Sequence, residues 1–246
     1  KVNDSAYDDG KYCPNCKKPL KYDYYHYNHI GSYKCKNCGH ARKEPDYAVT
    51  DFNFDVGEMT INRKYKLQMN LRSIYNAYNL LATFAVCRLV GIKDDKIVES
   101  LNNYVIKNDR IQKFELNGHD AMLLTSKHEN SISYNQSLLY VTREKEDCTV
   151  VIIVDAVSRK YFTSETSWLW DIDFELLKSE NVKKVILGGK YVHDLVTRME
   201  FAGVNMDKIV AKSDLDELMK ETKENSIGKI YVITCFSDRM KFLNRR

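Results

Sequence analysis

Two Cys-x-x-Cys pairs, Cys13-Pro14-Asn15-Cys16 and Cys35-Lys36-Asn37-Cys38, stand 18 residues apart. No other feature constrains the fold as strongly. Each pair can place two thiolates on one metal ion, and the segment between them can fold as a short hairpin that brings the pairs together. The spacing is that of a Cys₄ Zn²⁺ site. A redox Cys-x-x-Cys needs only one pair, in a thioredoxin-like setting. A disulfide pair needs an oxidising compartment, of which the sequence gives no sign. Four protein ligands leave no open coordination position, so the site is expected to hold structure, and the chemistry lies elsewhere.

The 246 residues suffice for one large or two modest domains with real cores. Only 3 prolines and 10 glycines argue against long disordered linkers. A net charge of +4, evenly spread, does not call for nucleic acid. No apolar run reaches the roughly 18 residues needed to cross a bilayer, and no signal peptide is seen. Cys87, Cys148 and Cys235 lie in apolar surroundings. They read as buried free thiols and fit a cytoplasmic, reducing location. The chain opens at Lys1-Val2-Asn3 without Met, as a processed or fragmentary chain would.

Residues 11–47 read as the ribbon, with tyrosines at short intervals from Tyr22 to Tyr33 suited to hairpin strands and Gly39 allowing the tight turn of a thiolate knuckle. Weak alternation over residues 48–68 predicts two or three short strands. The period then becomes helical through Leu71, Ile74, Tyr75, Tyr78, Leu81, Ala82, Ala85, Val86 and Leu89, and Gly91 closes that helix. Asp94 or Asp95 starts another, with Ile97, Val98, Leu101, Tyr104 and Val105 on its inner face. Ile111–Leu116 and Ala121–Thr125 read as strands joined by an Asn117-Gly118 hairpin turn. Apolar runs at 122–125, 150–154, 185–187, 209–210 and 230–233 alternate with helical patterns at 131–142, 173–179, 191–202, 213–223 and 237–244. That alternation predicts an α/β fold with a mainly parallel sheet covered on both faces. A domain boundary is expected near residues 106–111.

Three clusters can carry chemistry, each with a plainer reading beside it. Gly188-Gly189-Lys190 follows a strand and precedes a helix; its amides suit an anion, but the ordinary reading is a turn. Asn76 and Asn79 share a helix face and offer donor and acceptor groups to a purine edge, though two helix-surface asparagines are usually only solvated. Ser167-Trp168-Leu169-Trp170-Asp171-Ile172-Asp173-Phe174 holds both tryptophans, beyond a strand where open α/β sheets place functional groups. From composition alone, Asp171 or Asp173 reads as the cap of a following helix. The six histidines form no metal-spaced pair in the body of the chain, and no Ser-His-Asp order or Cys-His dyad is assignable. No Gly-x-x-x-x-Gly-Lys-Ser/Thr loop is present, so these residues alone are expected not to turn over ATP.

Taken in order, these pieces resemble the MurT family, the Mur-ligase-like subunits of lipid II isoglutaminyl synthases. The carrying residues are the cysteine pairs with Gly39, Arg42 to Tyr47, the Asn76–Asn79 helix, the Ser167 to Glu175 signature, Gly188-Gly189, Asp194, Arg198 and Ala202-Gly203-Val204. The family's usual Lys-Asn-Pro-x-Gly is replaced by Lys127-His128-Glu129-Asn130-Ser131, and its acidic, glycine-rich run by Ser158 to Glu165. The resemblance implies a Cys₄ ribbon inserted in the remaining part of a Mur-ligase-like ATPase domain (residues 1–107, ribbon 11–47), followed by a Rossmann-like C-terminal domain (108–246). It implies ATP with Mg²⁺, activation of the D-glutamate α-carboxyl of lipid II as an acyl phosphate, and a GatD-type glutaminase partner that supplies ammonia, the lipid substrate lying at the membrane surface. It implies that Asn76 and Asn79 contact adenine. It also implies that Asp171, or as alternate Asp173, completes the partner's Cys-His pair. The alternative is a zinc-ribbon nucleic-acid-binding protein, its lysines and tyrosines interleaved from Lys17 to Lys36.

Overall fold

A computed structural model of the chain describes residues 10–27, 30–69, 72–104, 111–127, 130–156 and 165–246. The expectations resting on Lys1–Asn3, Asn28, His29, Leu71, Val105, the boundary at 106–110, His128, Glu129 and Ser158–Ser164 lie outside the described residues. Contacts divide the chain into two compact units, Lys1–Ile106 and Lys107–Arg246.

In the first unit, β1 (Lys21–Tyr27) and β2 (Ile30–Lys34) form an antiparallel hairpin between the cysteine pairs. A three-stranded meander follows: β3 (Val49–Asn53), β4 (Glu58–Ile61) and β5 (Tyr65–Gln68). Helices α1 (Ile74–Leu89) and α2 (Asp94–Asn102) complete the unit. Ser73 caps α1 by accepting from the Asn76 amide. At its far end Ile92 N–H donates to Cys87 and Gly91 N–H to Arg88, with Gly91 at φ +86. That is a Schellman motif, open to Gly91 because it has no Cβ to strain the left-handed region.

The periodicity of α1 predicted a helix but not its buried side. Ala77, Leu80 and Phe84 enter the core with Met59, Ile61, Leu67 and Ile97, whereas Tyr78, Val86 and Leu89 are exposed, Leu89 to 76%. Apolar residues lie almost all round this helix, so spacing alone could not choose a face. Two smaller expectations also shift. Tyr104 is exposed, and Cys87 is half-buried, while Cys148 and Cys235 are buried thiols. Asp94 opens α2 from inside its first turn, where its carboxylate accepts from Tyr65 Oη and pairs with Arg88 at 2.8 Å.

The second unit begins with β6 (Ile111–Leu116) and β7 (His119–Ser126). Asn117 and Gly118 both take positive φ, 48° and 80°, as a type I′ hairpin turn requires. Then come α3 (Ser131–Arg143), β8 (Cys148–Ile153), 3₁₀ turns over Ser167–Asp171 and Phe174–Lys178, β9 (Val182–Gly188), α4 (Val192–Phe201), β10 (Ile209–Lys212), α5 (Leu215–Asn225), β11 (Lys229–Cys235) and α6 (Phe236–Leu243). The sheet order is β10-β9-β8-β11-β7-β6, parallel except for the β6–β7 pair. All six residues of β8 are buried. Val150 and Ile152 pack on one face with residues of α3 and α4, Val151 and Ile153 on the other with residues of α5 and α6. Burial on both faces is why β8 reads as a continuous apolar run.

The helix expected at 173–179 is instead a 3₁₀ turn. The segment is five residues long, too short to repay α-helix nucleation, and its entry is fixed by side-chain contacts described below. Among the described residues no helix is long and apolar enough to cross a membrane.

Candidate functional site

The ribbon brings Cys13, Cys16, Cys35 and Cys38 together with all four sulfurs within 4.8 Å of one another. Cys13 Sγ lies 3.6 Å from Cys38 Sγ, and Cys16 Sγ 3.4 Å from Cys35 Sγ. A tetrahedral ion with metal–sulfur bonds of about 2.3 Å sets its ligands about 3.8 Å apart, so the donor set fits a metal. The Lys18 amide lowers the Cys16 thiol to about 6. Cys38 receives the His40 amide, yet desolvation and its neighbouring cysteines push it up to about 12. The first thiolate thus opposes ionisation of the last unless a cation joins them. The ribbon's tyrosines pack on one another: Tyr22 and Tyr25 stack at 4.3 Å, and Tyr33 tilts against Tyr22 at 5.9 Å.

Asn76 and Asn79 line one pocket of about 370 Å³ in the first unit, with Gln68, Leu80, Thr83, Leu101 and Tyr104. The pocket combines apolar walls with three side-chain amides. Asn76 is largely buried and Asn79 exposed.

In the second unit the Trp-rich stretch lies against α3 and α4. Trp168 is buried, its ring 5.4 Å from that of Tyr134. Asp173 and Asn135 form a reciprocal pair: Asn135 Nδ2 donates to Asp173 Oδ2 at 3.0 Å, and Asp173 N–H to Asn135 Oδ1 at 2.8 Å. Asp173 therefore does not cap the turn with its own side chain. Arg198, 2% exposed, donates to the Ile172 carbonyl at 2.7 Å and to both oxygens of Glu175 at 2.9 and 3.0 Å. Asp171 is exposed and takes no hydrogen bond among the described residues. Beside it Trp170 (43% exposed) meets Phe201 (72% exposed) edge-on at 5.2 Å. Spacing gave no sign of the Asn135 contact, which spans 38 residues.

Gly188-Gly189-Lys190 is a turn whose amides are committed. Gly189 N–H donates to Lys212, and Lys190 N–H to Asp155 Oδ1. At the carboxyl ends of β8 and β11, which the sequence did not single out, Lys241 bridges Asp155 at 2.5 Å and Asp238 at 2.9 Å. Asp238 is fully buried and also accepts from the Asp155 and Ala156 amides. Partial burial pulls Asp155 upward, but the Lys241 ammonium and Lys190 amide outweigh it and hold the carboxyl below its ordinary value. Burial would lower Lys241; its two carboxylate partners hold it above the ordinary lysine value. Stability from this cluster is therefore lost as pH falls through the depressed Asp155 pKa, or rises through the raised Lys241 pKa. Asp238→Ala removes the acceptor of two half-buried amides and one of the two carboxylates that hold Lys241, and it is expected to cost about 2–3 kcal/mol in urea unfolding.

Residues 128–238 match the protein family described as MurT ligase C-terminal. A "lipid II isoglutaminyl synthase (glutamine-hydrolyzing) subunit MurT" from Staphylococcus aureus (strain COL) is 32% identical over 211 residues, covering 85% of this chain and 46% of that protein. The protein of the same name from Streptococcus pneumoniae (strain ATCC BAA-255 / R6) is 25% identical over 243 residues, 95% of this chain and 52% of that protein. The chain spans about half the length of the curated relatives it matches. Among solved structures, a pseudomurein peptide ligase type C from Methanothermus fervidus superposes with a TM-score of 0.67 at 18% identity, over 95% of this chain and 47% of that one. A MurF ligase from Thermotoga maritima in complex with ADP gives 0.54 at 15% identity, over 82% of this chain and 46% of that one. These structures share the Mur-ligase-like fold alone. Residues 128–238 thus belong to the MurT ligase C-terminal family, and MurT relatives align across both units.

Proposed function

We propose that the chain serves as the MurT-type subunit of a glutamine-hydrolysing lipid II isoglutaminyl synthase. In that reaction the D-glutamate α-carboxyl of lipid II is activated with ATP and Mg²⁺. Ammonia from a GatD-type glutaminase subunit then converts it to the D-isoglutamine amide. The single observation that carries the reading is Asp171: an exposed carboxylate with no hydrogen bond among the described residues, held in a Trp-rich turn beyond a strand of a mainly parallel sheet. A glutaminase using Cys and His needs a carboxylate to orient the imidazole and stabilise its charged form. Among the described residues nothing engages the Asp171 carboxylate. Asp173, the alternate, has one carboxylate oxygen engaged by Asn135. Zn²⁺ is the ion proposed for the four thiols, since closed tetrahedral thiolate sets favour it. The pocket of Asn76 and Asn79 is proposed to receive the adenine ring of ATP, with Leu80 and Leu101 against its faces.

The test is reconstitution. The native protein assembled with a GatD-type glutaminase should form the lipid II amide only with both ATP and glutamine. Asn79→Ala should raise KM for ATP about three- to tenfold, the loss of one or two neutral hydrogen bonds. No stable complex with the glutaminase, or no amide product from a stable one, would sink the reading.

A further inference from the structure

The stretch from Trp168 to Glu175 carries three acidic side chains, and two of them are tied down. Asn135 holds Asp173 through both its backbone and its carboxylate. Arg198 holds Glu175 and, through the Ile172 carbonyl, the peptide that joins Ile172 to Asp173, one residue beyond Asp171. The Arg198 guanidinium also lies 5.6 Å from the Trp170 ring centre and 5.5 Å from that of Phe174, between the two aromatic residues that flank Asp171 and Asp173. These anchors come from different helices, Asn135 from α3 and Arg198 from α4, both packed on the sheet. Arg198 is a buried charge, and its Nε has no hydrogen-bond partner. Burying a guanidinium with an unsatisfied donor is costly, and a salt bridge from a surface arginine would join the same elements for less. What the burial adds is rigidity: a guanidinium near two rings whose one terminal nitrogen, Nη2, reaches both the Ile172 carbonyl and the Glu175 carboxylate.

We propose that Arg198 and Asn135 are positioning residues that clamp the 168–175 turn from two helices and so hold the Asp171 carboxylate in one orientation for the partner's imidazole. This rests on the proposed role of Asp171. A carboxylate on an unclamped turn would sample many orientations, and misplacement of a catalytic group by about 1 Å can cost on the order of a hundredfold.

The experiment uses the native protein assembled with its glutaminase subunit, comparing Asp171→Asn, Arg198→Met, Arg198→Lys, Asn135→Ala and the double variant Asp171→Asn/Arg198→Met. Glutaminase kcat should fall about ten- to hundredfold in Arg198→Met and about tenfold in Asn135→Ala. KM for glutamine and subunit affinity should stay within about twofold. Arg198→Lys, which keeps the charge but not the planar guanidinium beside the rings, should lie between wild type and Arg198→Met. The acid limb of the kcat/KM profile should move to lower pH in the clamp variants, in the same direction as in Asp171→Asn, because a displaced carboxylate stabilises the imidazolium less. The double variant should be no worse than Asp171→Asn alone, since a clamp has nothing to act through once Asp171 is gone. Should Arg198→Met fail to fold by thermal melting, Arg198→Lys and Asn135→Ala carry the test. Full kcat in folded clamp variants, or multiplicative loss in the double, overturns the clamp while Asp171 keeps its role. Full kcat in Asp171→Asn overturns both.

Discussion

Asp171→Asn in the assembled complex is expected to lower glutamine hydrolysis by about 10²–10⁴-fold, by analogy with the loss when a triad Asp becomes Asn. The substitution is nearly isosteric, and Asp171 makes no side-chain hydrogen bond among the described residues, so folding and assembly should not change. What it removes is a charge. A neutral amide neither stabilises the imidazolium formed when the cysteine is deprotonated nor holds the ring in the useful tautomer. Two controls isolate that effect. Supplying ammonium salt in place of glutamine should restore amide synthesis, because the ligase half does not use Asp171. Asp173→Asn should act differently: it disturbs the reciprocal pair with Asn135 and should cost about 1 kcal/mol of stability with a smaller loss of activity. Equal losses in the two variants would move the assignment away from Asp171.

The second large effect concerns the ribbon. Cys35→Ser, or stripping the metal with a chelator, should unfold residues 11–47 while the second unit melts at its usual temperature. Among the described residues of the ribbon, the only fully enclosed hydrophobic side chains are Cys13 and Cys35 themselves. The hairpin's described residues form no buried apolar cluster, and an isolated two-stranded hairpin is marginal in water. Binding at a structural Cys₄ site is worth on the order of 10–16 kcal/mol in small zinc domains, and that energy is their folding energy. Hydrogen exchange should therefore become fast across β1 and β2. The meander and α1 rest on a separate cluster that includes Met59, Ile61, Leu67 and Phe84, and should stay protected. Loss of the α/β signal on chelation would show that the metal supports more than the ribbon.

Much of this architecture is legible in the chain because its signals are local. Gly91 and Asn117-Gly118 announce their turns through the backbone angles they permit. The cysteine spacing announces the convergence of four thiols, and the apolar run of β8 announces a strand covered on both faces. The misses are failures of locality. Nothing near Asp173 says that Asn135, 38 residues earlier, takes the place a helix-capping amide would have filled. Nothing near Arg198 says that its guanidinium reaches back 26 residues to Ile172. Asp171 and Asp173 are equivalent in sequence, and only packing separates the exposed one from the tethered one. The buried face of α1 failed differently: an apolar residue on nearly every side leaves the period intact and the phase undetermined.

The position of β11 bears on how the second unit can be made. It is the last strand of the chain, yet it lies in the middle of the sheet, between β8 and β7. Until it arrives, β6–β7 and β8–β9–β10 are two fragments facing each other across an empty slot, each with an unpaired, strongly apolar edge. Such edges invite pairing with other chains. The sheet cannot close until β11 has been made, after every other strand of this unit, so its completion rests on pairings of large sequence separation. The burden of keeping the two half-sheets apart from other chains falls on whatever shields nascent protein in the cell.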